Sequence, residues 1–133
     1  MDEKLLQFLQ GDNFRQHLGV DIVEVREGYA SVKGRVKEEF TNFHNTVHGS
    51  FLIAMADFAL GIAANSDNVK RFAVTIKMDF YKPAYSGDVL TAESEKIYGG
   101  WRVGFYRTRV FKGEELIAQG DAVSYGKGEI IKD

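Results

Sequence analysis

Between Gly49 and Ala64 the chain carries one ionisable residue, Asp57, set among Met55, Ala56, Phe58 and Ala59. Aspartate is a poor helix-interior residue, and a buried carboxylate without partners is either costly or driven to a raised pKa. Acids perturbed in this way serve as general bases and nucleophiles. The competing explanation is that Asp57 lies on the one wet stripe of an otherwise apolar helix, or pairs with a distant Lys or Arg. Just upstream, His48-Gly49-Ser50 opens the same apolar segment. The first turn of a helix leaves backbone N–H groups without partners, and at a glycine an oxygen can approach the N–H closely, as an oxyanion hole requires. A glycine chosen only for close backbone packing explains that residue equally well.

The spacing of the two positions says more than either alone. Gly49 and Asp57 are eight residues apart, about 12 Å along a helix at about 1.5 Å per residue. A reacting carbonyl must lie about 3 Å from both its oxyanion donor and its base or nucleophile. One helix cannot supply both. Two copies packed antiparallel across a two-fold axis can, because Gly49 of one then comes beside Asp57 of the other. Ala54, Ala56, Ala59, Gly61, Ala63 and Ala64 are small enough to let helix backbones approach. The spacing therefore predicts a homodimer as the minimal unit, with the site shared.

The elements that must hold these residues follow from periodicity. Lys4 to Leu18 reads as a short helix interrupted near Gly11, and Val20 to Val36 as a hairpin turning at Glu27-Gly28. After an irregular stretch from Lys37 to Val47 comes the apolar helix, His48 to Ala64. Ala73 to Tyr81 alternates Val74, Ile76, Met78 and Phe80 with polar residues, which predicts a strand with one buried face. Pro83 and Gly87-Asp88 mark a turn before three further strands, Val89–Tyr98, Trp101–Phe111 and Glu115–Tyr125, and Gly126 to Asp133 reads as a loose tail. The class is α+β in a single domain over residues 1–133, one antiparallel sheet around one long helix. A helix apolar on nearly every side needs more cover than one sheet provides, which again points to a second copy.

Composition narrows the chemistry. A formal net charge of -2 offers no field for nucleic acid. With no cysteine, disulfides and thiolate chemistry are excluded. The first residues lack the features of a signal peptide, which predicts a cytoplasmic protein. The apolar run from Phe51 to Ala64 is shorter than the roughly 20 residues of a membrane span. His17, His44 and His48 stand at no metal-ligand spacing, and Gly120 to Lys127 fails as a phosphate loop because Gly128 stands where Ser or Thr must hold magnesium. No metal or cofactor is expected. Trp101, Arg102, Tyr106, Arg107 and Arg109 interleave aromatics with cations, most simply as a solvated sheet face.

These residues resemble a known family, the hotdog-fold acyl-CoA thioesterases, in the branch named for phenylacetic-acid degradation. The family pattern of Asn, two residues, Gly, two residues, His-Gly-Gly and a later Asp is matched by Asn42-Phe43-His44-Asn45-Thr46-Val47-His48-Gly49-Ser50 and Asp57. Asp79-Phe80-Tyr81-Lys82-Pro83 with Gly87-Asp88 matches a second stretch, and the likeness runs from about Leu18 to Tyr125. It implies a long central helix wrapped by the sheet, dimers joined into homotetramers, and an aryl- or short/medium-chain acyl-CoA as substrate. It also implies roles: the Gly49 N–H as oxyanion donor, Asp57 as catalytic acid, Asn42 as a water-positioning amide, Thr75 as a supporting hydroxyl and His48 as support for the loop and thioester oxygen. Two positions depart from the pattern, Asn45 and Ser50, both standing where glycine is usual; they bear on the loop backbone and on the width of the acyl pocket. No Gly-x-Ser-x-Gly elbow surrounds Ser50, so it reads as a helix cap or pocket wall. Lys70, Arg71, Lys82 and Arg102 are candidates for the coenzyme A phosphates. The rival activities are a hotdog hydratase or dehydratase, which needs a second acid/base group, and a non-catalytic acyl-CoA sensor, which has no need of Asp57.

Overall fold

A computed structural model describes all 133 residues. Two short helices come first, α1 (Glu3–Leu9) and α2 (Asn13–Leu18), each started by an aspartate whose side chain accepts from backbone N–H groups: Asp2 for α1 and Asp12 for α2. The interruption lies at Gln10–Asp12, around Gly11, as the sequence predicts. The hairpin β1 (Asp21–Arg26) and β2 (Tyr29–Arg35) follows, with Gly28 at φ 79° in its turn. The long helix α3 (Gly49–Ala64) then leads to β3 (Phe72–Phe80), β4 (Val89–Gly99), β5 (Val103–Lys112) and β6 (Glu115–Tyr125).

All six strands form one antiparallel sheet in the order β1-β2-β4-β5-β6-β3. The sheet curls about α3, the arrangement the family resemblance implies. Its inner face is lined with small or branched residues, Ala30, Val32, Ala92, Val110, Ala118 and Ala122, and these pack against Phe51, Met55, Ala59, Leu60 and Ile62 of the helix in one continuous core.

Three expectations are corrected. One chain covers α3 more fully than a sheet alone could, because α1 and α2 also lie against it: Phe14 of α2 meets Phe58 edge-on with ring centroids 5.6 Å apart. Only a stripe of Ser50, Ile53, Asp57 and Gly61 stays exposed. The predicted buried face of β3 is also absent. Ile76 and Met78 are only half-buried, while Phe72, Val74 and Phe80 are 65%, 57% and 50% exposed. The strand lies at the edge of the sheet, bonded only to β6, with a bulge between Ala73 and Thr75. Finally, the tail is tied down. Lys70 N–H donates to the Glu129 carbonyl, Ile131 N–H to the Asn68 carbonyl, and the Asn68 amide bonds Lys132 in both directions. No helix is long and apolar enough to cross a membrane.

Candidate active site

The loop before α3 is organised by Asn42. Its Oδ1 accepts from His44 N–H at 2.9 Å and Thr46 N–H at 3.3 Å, and its Nδ2 donates to Thr46 Oγ1 at 3.0 Å. Asn42 and Thr46 are further joined through the backbone at 2.8 Å. The chain can turn this tightly because Asn45 sits at φ 63°. That left-handed conformation explains why glycine is usual there, and Asn is among the few other residues that adopt it readily.

His48 is the N-cap of α3. Its Nδ1 accepts from Ser50 N–H at 3.1 Å and lies 2.7 Å from Ser50 Oγ. An accepting Nδ1 leaves the ring proton on Nε2, so His48 and Ser50 hold the helix start together. Phe51 N–H is taken by the His48 carbonyl. The Gly49 N–H, between these satisfied donors, has no acceptor in the chain. A Cβ at Gly49 would lie 3.2 Å from the Phe80 ring, so glycine is what lets that ring lie against the turn.

Asn42 and Gly49 open onto one cleft of about 320 Å³, shared with Thr46, Phe80 and Lys82. The Lys82 ammonium pairs with Glu115 at 2.9 Å on its rim. Phe80 was not singled out as a site residue from the sequence; its place in the Asp79-Phe80 stretch was the available signal.

Asp57 is elsewhere. It shares the exposed stripe of α3 with Ile53, itself 37% exposed, and takes part in no ion pair. Although Asp57 is open to solvent in the single chain, its carboxyl is partly withdrawn from water. That desolvation, reinforced by the negative charge of Asp12, pushes its pKa above the ordinary aspartate value. Nothing in the sequence pointed to Asp12, because its nearness to Asp57 is created by the packing of α2 on α3. Thr75 is exposed on β3 opposite Val123, alternating with the core-packed Ile76. Within one chain the structure thus gathers Asn42, Gly49 and the His48 cap, and leaves Asp57 and Thr75 apart from them.

The four candidate phosphate-binding cations also separate. Arg71 is withdrawn, since it is 5% exposed and committed to the Ala64 carbonyl, the Trp101 carbonyl and Asp67. A guanidinium closing the C-terminal end of α3 is structural. Lys82 alone borders the Gly49 cleft. Arg107 and Arg109 pair across strands with Glu95 and Glu93, the solvated face expected of them.

Comparison with known proteins fits this layout. The sequence profile of the Thioesterase superfamily matches residues 44–119, more than half of the chain. The acyl-coenzyme A thioesterase PaaI of Escherichia coli is 34% identical over 97 residues, which cover 73% of this chain and 69% of that one. The solved structure of the E. coli PaaI protein superposes with a TM-score of 0.90 at 29% identity, covering 97% of both chains. A phenylacetic acid degradation protein PaaI from Thermus thermophilus gives 0.83 at 29% identity, over 86% of this chain and 99% of that one.

Proposed function

This chain belongs to the thioesterase superfamily, and from that membership and the divided site we propose that it hydrolyses acyl-CoA thioesters to the free acid and CoA at a centre built by two copies. The observation that carries the reading is the division itself. A free, glycine-flanked N–H at a helix start opens onto one cleft, while a carboxylate without a counter-ion stands on the exposed stripe of the same helix. Each is half of an acyl-transfer site.

In the assembled site the thioester carbonyl accepts from Gly49 N–H of one copy, and Asp57 of the other either takes a proton from the attacking water or attacks directly to form a mixed anhydride that water then cleaves. In both routes the C–S bond breaks and CoA leaves as its thiolate, to be protonated. Asn42, whose second Nδ2 hydrogen is uncommitted, orients the water; Thr75 supports water or acid from β3; His48 holds the turn. The homodimer is the minimal unit, with the stripe of α3 and the apolar edge of β3 as the surfaces that support it. Pairs of dimers form a homotetramer, each chain folding as one domain, and the enzyme acts in the cytoplasm.

Free-thiol release from a panel of acyl-CoAs tests the activity, and complementation tests the shared site. Asp57→Asn and Gly49→Pro chains should each be inactive; proline is tolerated at the first helical position and removes the N–H. In a mixed dimer one site receives both defects and the other neither, so random pairing should restore about one quarter of wild-type activity, half the dimers having one good site of two. Mixed oligomers that demonstrably form and stay inactive would overturn the two-copy site.

A further inference from the structure

One turn beyond Asp57, the exposed stripe of α3 runs into a second cleft, of about 540 Å³, whose apolar walls are Phe8, Leu9, Gly61, Phe72, Ile130 and Ile131. We infer that this cleft receives the apolar tail of the acyl group, with Gly61 as the residue that sets how long a tail it admits. The inference rests on the thioesterase reading and adds to it the substrate class: acyl chains longer than acetyl, lodged in the chain that supplies Asp57.

Three observations support it. Three of the large apolar side chains that the chain leaves exposed, Phe8 at 50%, Phe72 at 65% and Ile130 at 51%, converge on this one cleft, and its size is that of a small-molecule site. The polar groups that share the lining are already engaged with one another. Lys70 pairs with Glu129 at 3.5 Å, and Arg71 with Asp67 at 2.6 Å. Asn65 bonds the Gly61 and Arg71 carbonyls through its amide nitrogen, and Asp12 accepts from Phe14 and Arg15 N–H. Most of what remains to meet a ligand is hydrocarbon, with the exposed Lys70–Glu129 pair at one wall. Third, Gly61 is four residues after Asp57 on the same face, about 6 Å along the axis, and a Cβ built there meets nothing within 4 Å. A glycine within a helix costs stability relative to alanine, and no contact in the chain requires it here. The open volume it leaves lies where a tail leading away from Asp57 must pass.

The walls contributed by α1 and by the tail, residues 8–12 and 129–131, lie outside the stretch matched by the superfamily profile.

The test compares kcat/KM for acetyl-, hexanoyl- and dodecanoyl-CoA in the wild type, Gly61→Leu and Phe8→Glu. Each methylene denied a buried site is worth about fourfold, so both variants should lower the dodecanoyl-to-acetyl ratio at least tenfold. Phe8→Glu, at a half-exposed side chain on the outer side of α1, decides the matter if Gly61→Leu folds or assembles poorly. A ratio unchanged in Phe8→Glu overturns the assignment. A wild type that releases thiol from no member of the acyl-CoA panel, aryl thioesters included, sinks the thioesterase reading and this one with it, whereas activity with an unmoved ratio, or with aryl thioesters alone, sinks only the tail cleft. A second arm locates the cleft: in the Asp57→Asn with Gly49→Pro mixed dimer, Gly61→Leu should shift the ratio only when carried on the Gly49→Pro chain, which supplies the working Asp57. A shift from the other chain places the tail across the interface and overturns the proposal.

Discussion

The first turn of α3 and its middle are built on opposite principles. At the turn, Asn42, Thr46, His48 and Ser50 bond one another around the Gly49 N–H, which is left without an acceptor. Two turns on, Asp57 has no partner at all, and the charge that acts on it is another carboxylate, Asp12. A donor aimed at a developing oxyanion works best when fixed beforehand, so its surroundings are rigid. A base works best when its proton affinity is raised, so its surroundings are left unfavourable. In the proposed site, order stabilises one half, and the other half is a local instability that the fold tolerates.

The largest test of that contrast is Asp57→Asn. It should lower kcat at least about a hundredfold, since general-base contributions run about 10²–10⁴-fold, and yet raise Tm at neutral pH. The sign follows from the direction of the shift. With its folded-state pKa raised, Asp57 holds a proton more tightly folded than unfolded, so it opposes folding once pH exceeds the ordinary carboxylate range and its penalty is complete above the raised pKa. Below the ordinary range the penalty vanishes, and with it the gain from Asn. The acid limb of wild-type kcat/KM should likewise lie above the ordinary aspartate pKa. A variant that loses activity and stability together would show that Asp57 is structural.

Removing order from the turn should do less. Asn42→Ala deletes the bonds to His44 and Thr46, and we expect kcat/KM to fall about tenfold to a hundredfold, the scale of one or two hydrogen bonds. Amide exchange at His44–Thr46 should quicken in parallel; faster exchange with full activity would reduce Asn42 to a loop residue. Smallest is Asn45→Ala, which places a Cβ-bearing residue with no local hydrogen-bonding side chain at φ 63°. It should cost about 1–2 kcal/mol in denaturant unfolding, while Asn45→Gly should cost nothing. Equal midpoints for the Ala and Gly variants would mean the loop does not need the left-handed residue.

Much of this was legible in the residues because it is local. Alternation marked the strands, Glu27-Gly28 marked a turn, and one acid in an apolar run marked α3. What the sequence hid was set by topology. The alternation in β3 could not announce that the strand would stand at an edge with Phe72 and Val74 mostly exposed. Gly126 to Asp133 has no periodicity, because it is held by the backbone of Lys70 and by Asn68, the latter at φ 69°. Arg71 resembled a free cation until the end of α3 and the Trp101 carbonyl closed around it. Within the site, the donor turn was readable from spacing, whereas Asp12 and the Phe80 ring reached theirs only through packing.

The open edge of β3 also has a bearing on the life of a newly made chain. Until something covers them, Phe72, Val74 and Phe80 line a row of unpaired backbone groups, the kind of edge along which proteins misassociate. Lys77 and Asp79, paired at 3.1 Å, interrupt that row with charge, and the bulge at Ala73/Thr75 bends it. Such gatekeepers slow indiscriminate pairing. In the proposed assembly they leave the solitary chain a limited safe interval in a crowded cell, whose length is set by how soon it meets another copy of itself.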